Sequence, residues 1–148
     1  MICPRCQVEM TVENRHGMEI DHCPSCNGRW FDHEELEHLE DSVFPPHMTK
    51  GTREYATHDS ELRCPRCQGP MKAFNYRAYN LEIDTCEQEH GFWLDAGEEG
   101  RVRDIMEERI RGLARAASAE ESWGKFLGRI GNRSVWDKIG GLFRGGRR

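Results

Sequence analysis

Apolar and polar residues alternate in two short runs near the N-terminus: Val8, Met10 and Val12, then Met18, Ile20 and His22, with His16-Gly17 between them. Period-two alternation broken by a turn dipeptide predicts a half-buried β-hairpin. Trp30-Phe31 follows as an apolar plug on the sheet face. Asp32 and Glu35 then have capping-box spacing, and Leu36 and Leu39 point inward from the short helix that the box opens. The helix's acidic run, Glu34, Glu35, Glu37, Glu40 and Asp41, reads as a solvated face.

The plan then repeats. Cys64, Cys67 and Met71 stand 61 residues after Cys3, Cys6 and Met10, whereas Cys86, Gly91, Trp93 and Asp95 stand 63 after Cys23, Gly28, Trp30 and Asp32. The second hairpin is therefore two residues longer, and it carries Phe74, Tyr76 and Tyr79 in its strands. Five segments result: a first repeat at 1–41, a linker at 42–61, a second repeat at 62–97, an amphipathic helix at 98–122 and a tail at 123–148. Pro45-Pro46 favours an extended linker, either a strap that packs Phe44 against a repeat or a flexible tether.

Asp95 and Glu98 suggest a second capping box. Beyond it Val102, Met106, Ile110, Leu113 and Ala117 recur at helical spacing, with Ile105 widening the stripe. The stripe packs on its own repeat or, in the alternative reading, pairs two copies in a homodimer. In the tail Trp123, Phe126, Leu127 and Ile130 share a helical face. Val135, Trp136, Ile139, Leu142 and Phe143 repeat the arrangement among Lys and Arg. Seven glycines after residue 123 make this a poor autonomous helix, so ordering calls for a surface.

Cysteine spacing supplies the chemistry. Cys3, Cys6, Cys23 and Cys26 form C-x₂-C-x₁₆-C-x₂-C, and the second repeat offers Cys64, Cys67 and Cys86. A C-x₂-C turn supplies two ligands to tetrahedral Zn²⁺, and a hairpin returns the other two. Glu89 aligns with Cys26, so the eighth ligand differs. His90 is the expected replacement, since imidazole is a routine structural ligand, with Glu89 or a water as the alternative. Only 36% of residues are hydrophobic and 32% are charged. Two modules of about 40 residues with so little apolar surface need metal to fold. The competing reading is a secreted disulfide framework. Seven cysteines, an odd number, and an opening Met1-Ile2-Cys3 without a signal peptide favour thiolates in a reducing, cytoplasmic setting. The expected fold is small α+β: two tandem zinc ribbons, each an antiparallel β-hairpin sheet plus a helix, with a helical C-terminal extension and two structural Zn²⁺ per chain.

The motifs together resemble the bacterial transcription factor IIB-type zinc-ribbon family. The resemblance rests on the C-P-R-C knuckles, Met10 and Met71, Ile20-Asp21 and Ile83-Asp84, Gly28-x-Trp30 and Gly91-x-Trp93, and Asp32 and Asp95. It implies a zinc-bearing platform, a form put to nucleic-acid, protein or purely structural use.

Charge orders the function classes. Residues 1–122 hold 14 Lys+Arg and 25 Asp+Glu, a balance of −11, whereas residues 123–148 hold seven Lys+Arg and one Asp, +6. The leading expectation is a non-enzymatic adaptor that docks a macromolecule, a protein above all, with homodimer formation as a further option. The basic tail, through Trp123, Phe126, Trp136 and Phe143, also suits an anionic membrane surface, which would put a cytoplasmic protein at the inner membrane periphery. The alternative is a nucleic-acid-binding, transcription-related protein, in which Arg5, Arg15, Arg29, Arg63, Arg66, Lys72 and Arg77 gather on the knuckles and Tyr76 or Tyr79 stacks on bases. An enzyme is disfavoured, because filled four-ligand sites leave no coordination position for water. Of the other histidines, His22 stands next to Cys23 and is placed to bond a thiolate.

Overall fold

Both hairpins form where the alternation places them. β1 (Thr11–Arg15) pairs with β2 (Met18–His22), and the link His16-Gly17 has φ of 54° and 82°. Two positive φ values in a two-residue link match the twist of the strands it joins. β3 (Arg29–Phe31) adds to β2, and α1 (His33–Asp41) follows. β4 (Glu54–Arg63) lies along β5 (Pro70–Tyr76), which pairs in turn with β6 (Glu82–Cys86); β7 (Phe92–Leu94) completes the repeat and α2 (Glu98–Ile130) leaves it. This computed structural model describes residues 1–130, with side chains to 128. The tail positions Trp136 and Phe143 and the terminal arginines lie outside the described residues.

The two repeats share one antiparallel sheet, ordered β1-β2-β3-β7-β6-β5-β4. Its centre is the β3–β7 pair, where Trp30 faces Trp93, Phe31 faces Phe92 and Arg29 faces Leu94. Trp30 and Trp93 are equivalent in the two repeats, so a local two-fold axis passes between them. Met1–Glu108 form one compact unit that holds both repeats; a second unit starts at Arg109.

Strand alternation gives this sheet two unlike faces. Trp30, Met71, Trp93 and Cys86 belong to one, in a cluster with Met10 and the other cysteines. Ile20, Phe31, Phe74, Ile83 and Phe92 belong to the other and are fully buried. Leu36, Leu39, Phe44, Val102 and Met106, from the helices and the strap, are at most 1% exposed. Phe44 therefore ends in the core, and the segment read as a linker contributes most of an edge strand.

Several expectations change. Val8 and Val12 are 36% and 64% exposed, because β1 is the outer strand of its sheet and only Met10 of that series enters the core. Tyr79 lies in the turn after β5 rather than in a strand. Glu40, assigned to a solvated face, is completely buried. The helix read as ending at residue 122 runs on to Ile130. Gly124 and Gly128 each weaken a helix by about 1 kcal/mol, but extending a formed helix requires no new nucleus.

Candidate metal centre

Each ligand turn is closed by the same backbone hydrogen bond. The Cys3 N–H bonds the Val8 carbonyl at 2.8 Å, Cys23 bonds Gly28 at 2.9 Å, Cys64 bonds Gly69 at 2.9 Å and Cys86 bonds Gly91 at 3.0 Å. All four knuckles thus span the same length. In the first three the residue after the second cysteine is left-handed: Gln7 (φ 57°), Asn27 (59°) and Gln68 (59°). The fourth turns one residue earlier, at Glu89 (φ 58°), which is exposed. That shift aims the next side chain, His90, at the thiols.

The fold gathers Cys3, Cys6, Cys23 and Cys26 into one group and Cys64, Cys67, Cys86 and His90 into another. Within each group the ligand atoms all lie within 4.8 Å of one another. In the first, Cys6 Sγ stands 3.4 Å from Cys3 Sγ and 3.3 Å from Cys23 Sγ, and Cys3 Sγ stands 3.7 Å from Cys26 Sγ; in the second, His90 Nδ1 stands 3.4 Å from Cys86 Sγ and 3.9 Å from Cys64 Sγ. Glu89, the alternative eighth ligand, is not in the group. Backbone N–H groups of Arg66 and Gln88 point at Cys64 Sγ and Cys86 Sγ at 3.4 and 3.3 Å, a geometry that favours thiolate. The donor set, its spacing and its burial fit two structural zinc ions.

Without metal the thiols differ sharply. Burial pushes Cys3 and Cys64 up to about 12. Burial also acts against ionisation of Cys23, but the Cys26 N–H, the neighbouring Cys6 thiol and the Ser25 N–H outweigh it and bring Cys23 to about 7. The Gly69 N–H chiefly brings Cys67 to about 7. An arriving cation therefore meets Cys23 and Cys67 as the readier thiolates and must displace the protons held by Cys3 and Cys64.

Gly-x-Trp proves to be a contact between repeats. A Cβ on Gly28 would lie 2.2 Å from the Trp93 ring, and one on Gly91 would lie 3.0 Å from the Trp30 ring and 2.3 Å from the Phe31 carbonyl. Each glycine clears space for the other repeat's tryptophan. Trp93 Nε1 donates to Asp95 Oδ1 at 2.9 Å, and the Arg5 guanidinium from the first knuckle grips the same carboxylate with two bonds. Asp95 is thereby diverted from capping. Glu98 still accepts the Asp95 N–H at 2.8 Å, so only half of the second capping box forms, whereas Asp32 and Glu35 form a complete one.

Two buried carboxylates make reciprocal links between repeats. Glu40 on α1 accepts from Tyr76 Oη at 2.5 Å, Arg77 Nη2 at 2.9 Å and Arg53 Nε at 3.3 Å. Glu99 on α2 meets His16 at 2.8 Å, Arg29 at 3.4 Å and Arg15 at 3.5 Å. Each helix start or end is thus held to the other repeat's hairpin. Sequence reading missed both. The one available signal was the pairing of Arg15-His16 and Arg77 at matching hairpin turns.

The basic residues counted toward a nucleic-acid surface are mostly engaged. Arg5 pairs with Asp95, Arg15 and Arg29 with Glu13 and Glu99, Lys72 with Asp59 and Glu87, and Arg77 with buried Glu40. Arg66 in the Cys64–Cys67 turn and Arg63 just before it remain exposed. Tyr76, considered for base stacking, is fully buried. His22 bonds Asn27 Oδ1 at 3.3 Å rather than a thiolate.

No curated protein and no solved structure matches the chain. A family model described as transcription factor zinc-finger, the TFIIB-type zinc ribbon, matches residues 2–42 and again residues 63–99, together more than half of the sequence. Each matched stretch contains one complete four-ligand group, the hairpin that closes it and the Gly-x-Trp that locks it to its twin. The chain belongs to the TFIIB-type zinc-ribbon family and carries two copies of the ribbon in tandem.

Proposed function

We propose that this zinc-binding protein is a non-catalytic adaptor, in which two metal-stapled ribbons form a rigid platform for a protein partner, with His90 as the eighth zinc ligand. The carrying observation is that both ligand groups are complete at four and that the cysteines of both belong to one shared apolar cluster. A cation with four protein ligands has no position left for substrate or an activated water. The acidic balance of residues 1–122 and the pairing of most of their basic side chains weigh against a phosphate backbone as ligand.

Cobalt substitution tests this reading. Co²⁺ in both sites of the full-length protein should give tetrahedral ligand-field bands that added azide does not change. A spectrum that shifts with azide would reveal an open position and overturn the non-catalytic reading. Retention on mixed-sequence DNA or RNA that persists in about 0.2 M salt would overturn the preference for protein.

A further inference from the structure

We propose that the distal part of α2 is a membrane anchor that lays its Trp123, Phe126 and Leu127 face on an anionic bilayer surface. This stands independently of the adaptor reading, since it concerns residues outside both ribbons. The three side chains are 63%, 48% and 59% exposed, although they belong to the largest apolar residues of the helix. Their spacing at 123, 126 and 127 puts them on one helical face. The rings of Trp123 and Phe126 stack at a centroid distance of 5.3 Å, which makes one continuous apolar plate. Lys125 projects from a different side of the helix and is 72% exposed, in an ion pair with Glu121 at 2.7 Å.

Charge decides the occupant. From Trp123 onward the sequence carries seven Lys+Arg against one Asp, a complement to anionic headgroups. The apolar series also continues in sequence as Val135, Trp136, Ile139, Leu142 and Phe143. A bilayer interface accepts apolar side chains without a matched pocket, whereas a protein groove needs one for each anchor. Among the described residues no helix is long and apolar enough to cross a membrane, so the segment lies on the surface rather than spanning it. A tryptophan is well suited to that level of the bilayer, having an apolar body and a polar N–H.

The test is flotation of the zinc-loaded full-length protein with phosphatidylcholine vesicles, with and without about 30 mol% phosphatidylglycerol. The expected result is co-flotation with the anionic vesicles only, and release as salt rises to about 0.5 M. The double variant Trp123→Ala/Phe126→Ala should bind about tenfold more weakly or worse while its zinc content is unchanged. Failure to float with anionic vesicles overturns the proposal. So does unchanged binding by the double variant, which would make the attraction one of charge alone. A concentration-dependent mass in solution that the double variant abolishes would assign the plate to a second copy of the chain and also overturn it.

Discussion

Gly28 lies so close to Trp93 that any Cβ would come within 2.2 Å of the indole, although the two residues belong to different ribbons. Gly91 stands in the same relation to Trp30. The two contacts flank the β3–β7 pair and fasten the repeats edge to edge. Gly28→Ala should therefore cost about 2–3 kcal/mol, because a ring in a packed core cannot move aside cheaply. At Gly100 in α2 an added Cβ would meet nothing within 4 Å, and Gly100→Ala should stabilise by about 0.5–1 kcal/mol. Urea unfolding at saturating zinc measures both, and equal effects would contradict this account of the joint.

Glu40 and Arg77 form a buried ion pair in which both side chains are at most 2% exposed. Glu40→Ala should destabilise by about 3–5 kcal/mol, since it strands a guanidinium away from water. Joint replacement, Glu40→Leu with Arg77→Met, should cost less than Glu40→Ala alone. Chemical denaturation of the parent and the two variants decides the point.

Glu98 is held near pH 7 rather than in the ordinary carboxylate range, chiefly through burial, with Asp95 and Asp84 adding repulsion against the Asp95 N–H and Arg5. A raised acid binds its proton more tightly when folded than when unfolded. Its contribution to stability consequently falls as pH rises from about 4.5 to about 7, and the full penalty persists above that. Glu98→Gln removes the penalty. Relative to the parent it should gain on the order of 1 kcal/mol at pH 8, and that gain should vanish at pH 4.5. Melting curves of both proteins across this range give the difference, in which the thiol titrations they share cancel.

Metal content separates the two candidates for the eighth ligand. Native mass spectrometry should find two zinc ions in the parent and in Glu89→Ala, and about one in Cys86→Ser and in His90→Ala. Retention of both ions by His90→Ala would remove the histidine from the site. Chelation of the parent should unfold both ribbons, visible as loss of near-ultraviolet dichroism from Trp30 and Trp93.

The ligands were legible because metal chemistry prescribes both residue type and spacing. The hairpins were legible from alternation around His16-Gly17, and α1 from Asp32 and Glu35. What escaped were relationships between the repeats. Nothing local in Glu40 distinguishes it from exposed Glu37, because its burial depends on Tyr76 and Arg77 arriving from the second repeat's hairpin. Gly28 reads as a turn residue until Trp93 is placed against it. The partial capping box at Asp95 likewise depends on Arg5, which is 90 residues away in sequence.

The continuous β3–β7 junction makes the protein equivalent to a dimer whose subunits are joined by peptide bonds. A free dimer of identical ribbons would dissociate on dilution and would present two copies of one surface. The tethered pair has fixed one-to-one stoichiometry at every concentration. Its halves are also free to differ, and they do: one closes its zinc group with cysteine and the other with His90, and only the second is flanked by β4. Near-symmetry supplies the joint, while the departures from it make the two ends chemically distinguishable.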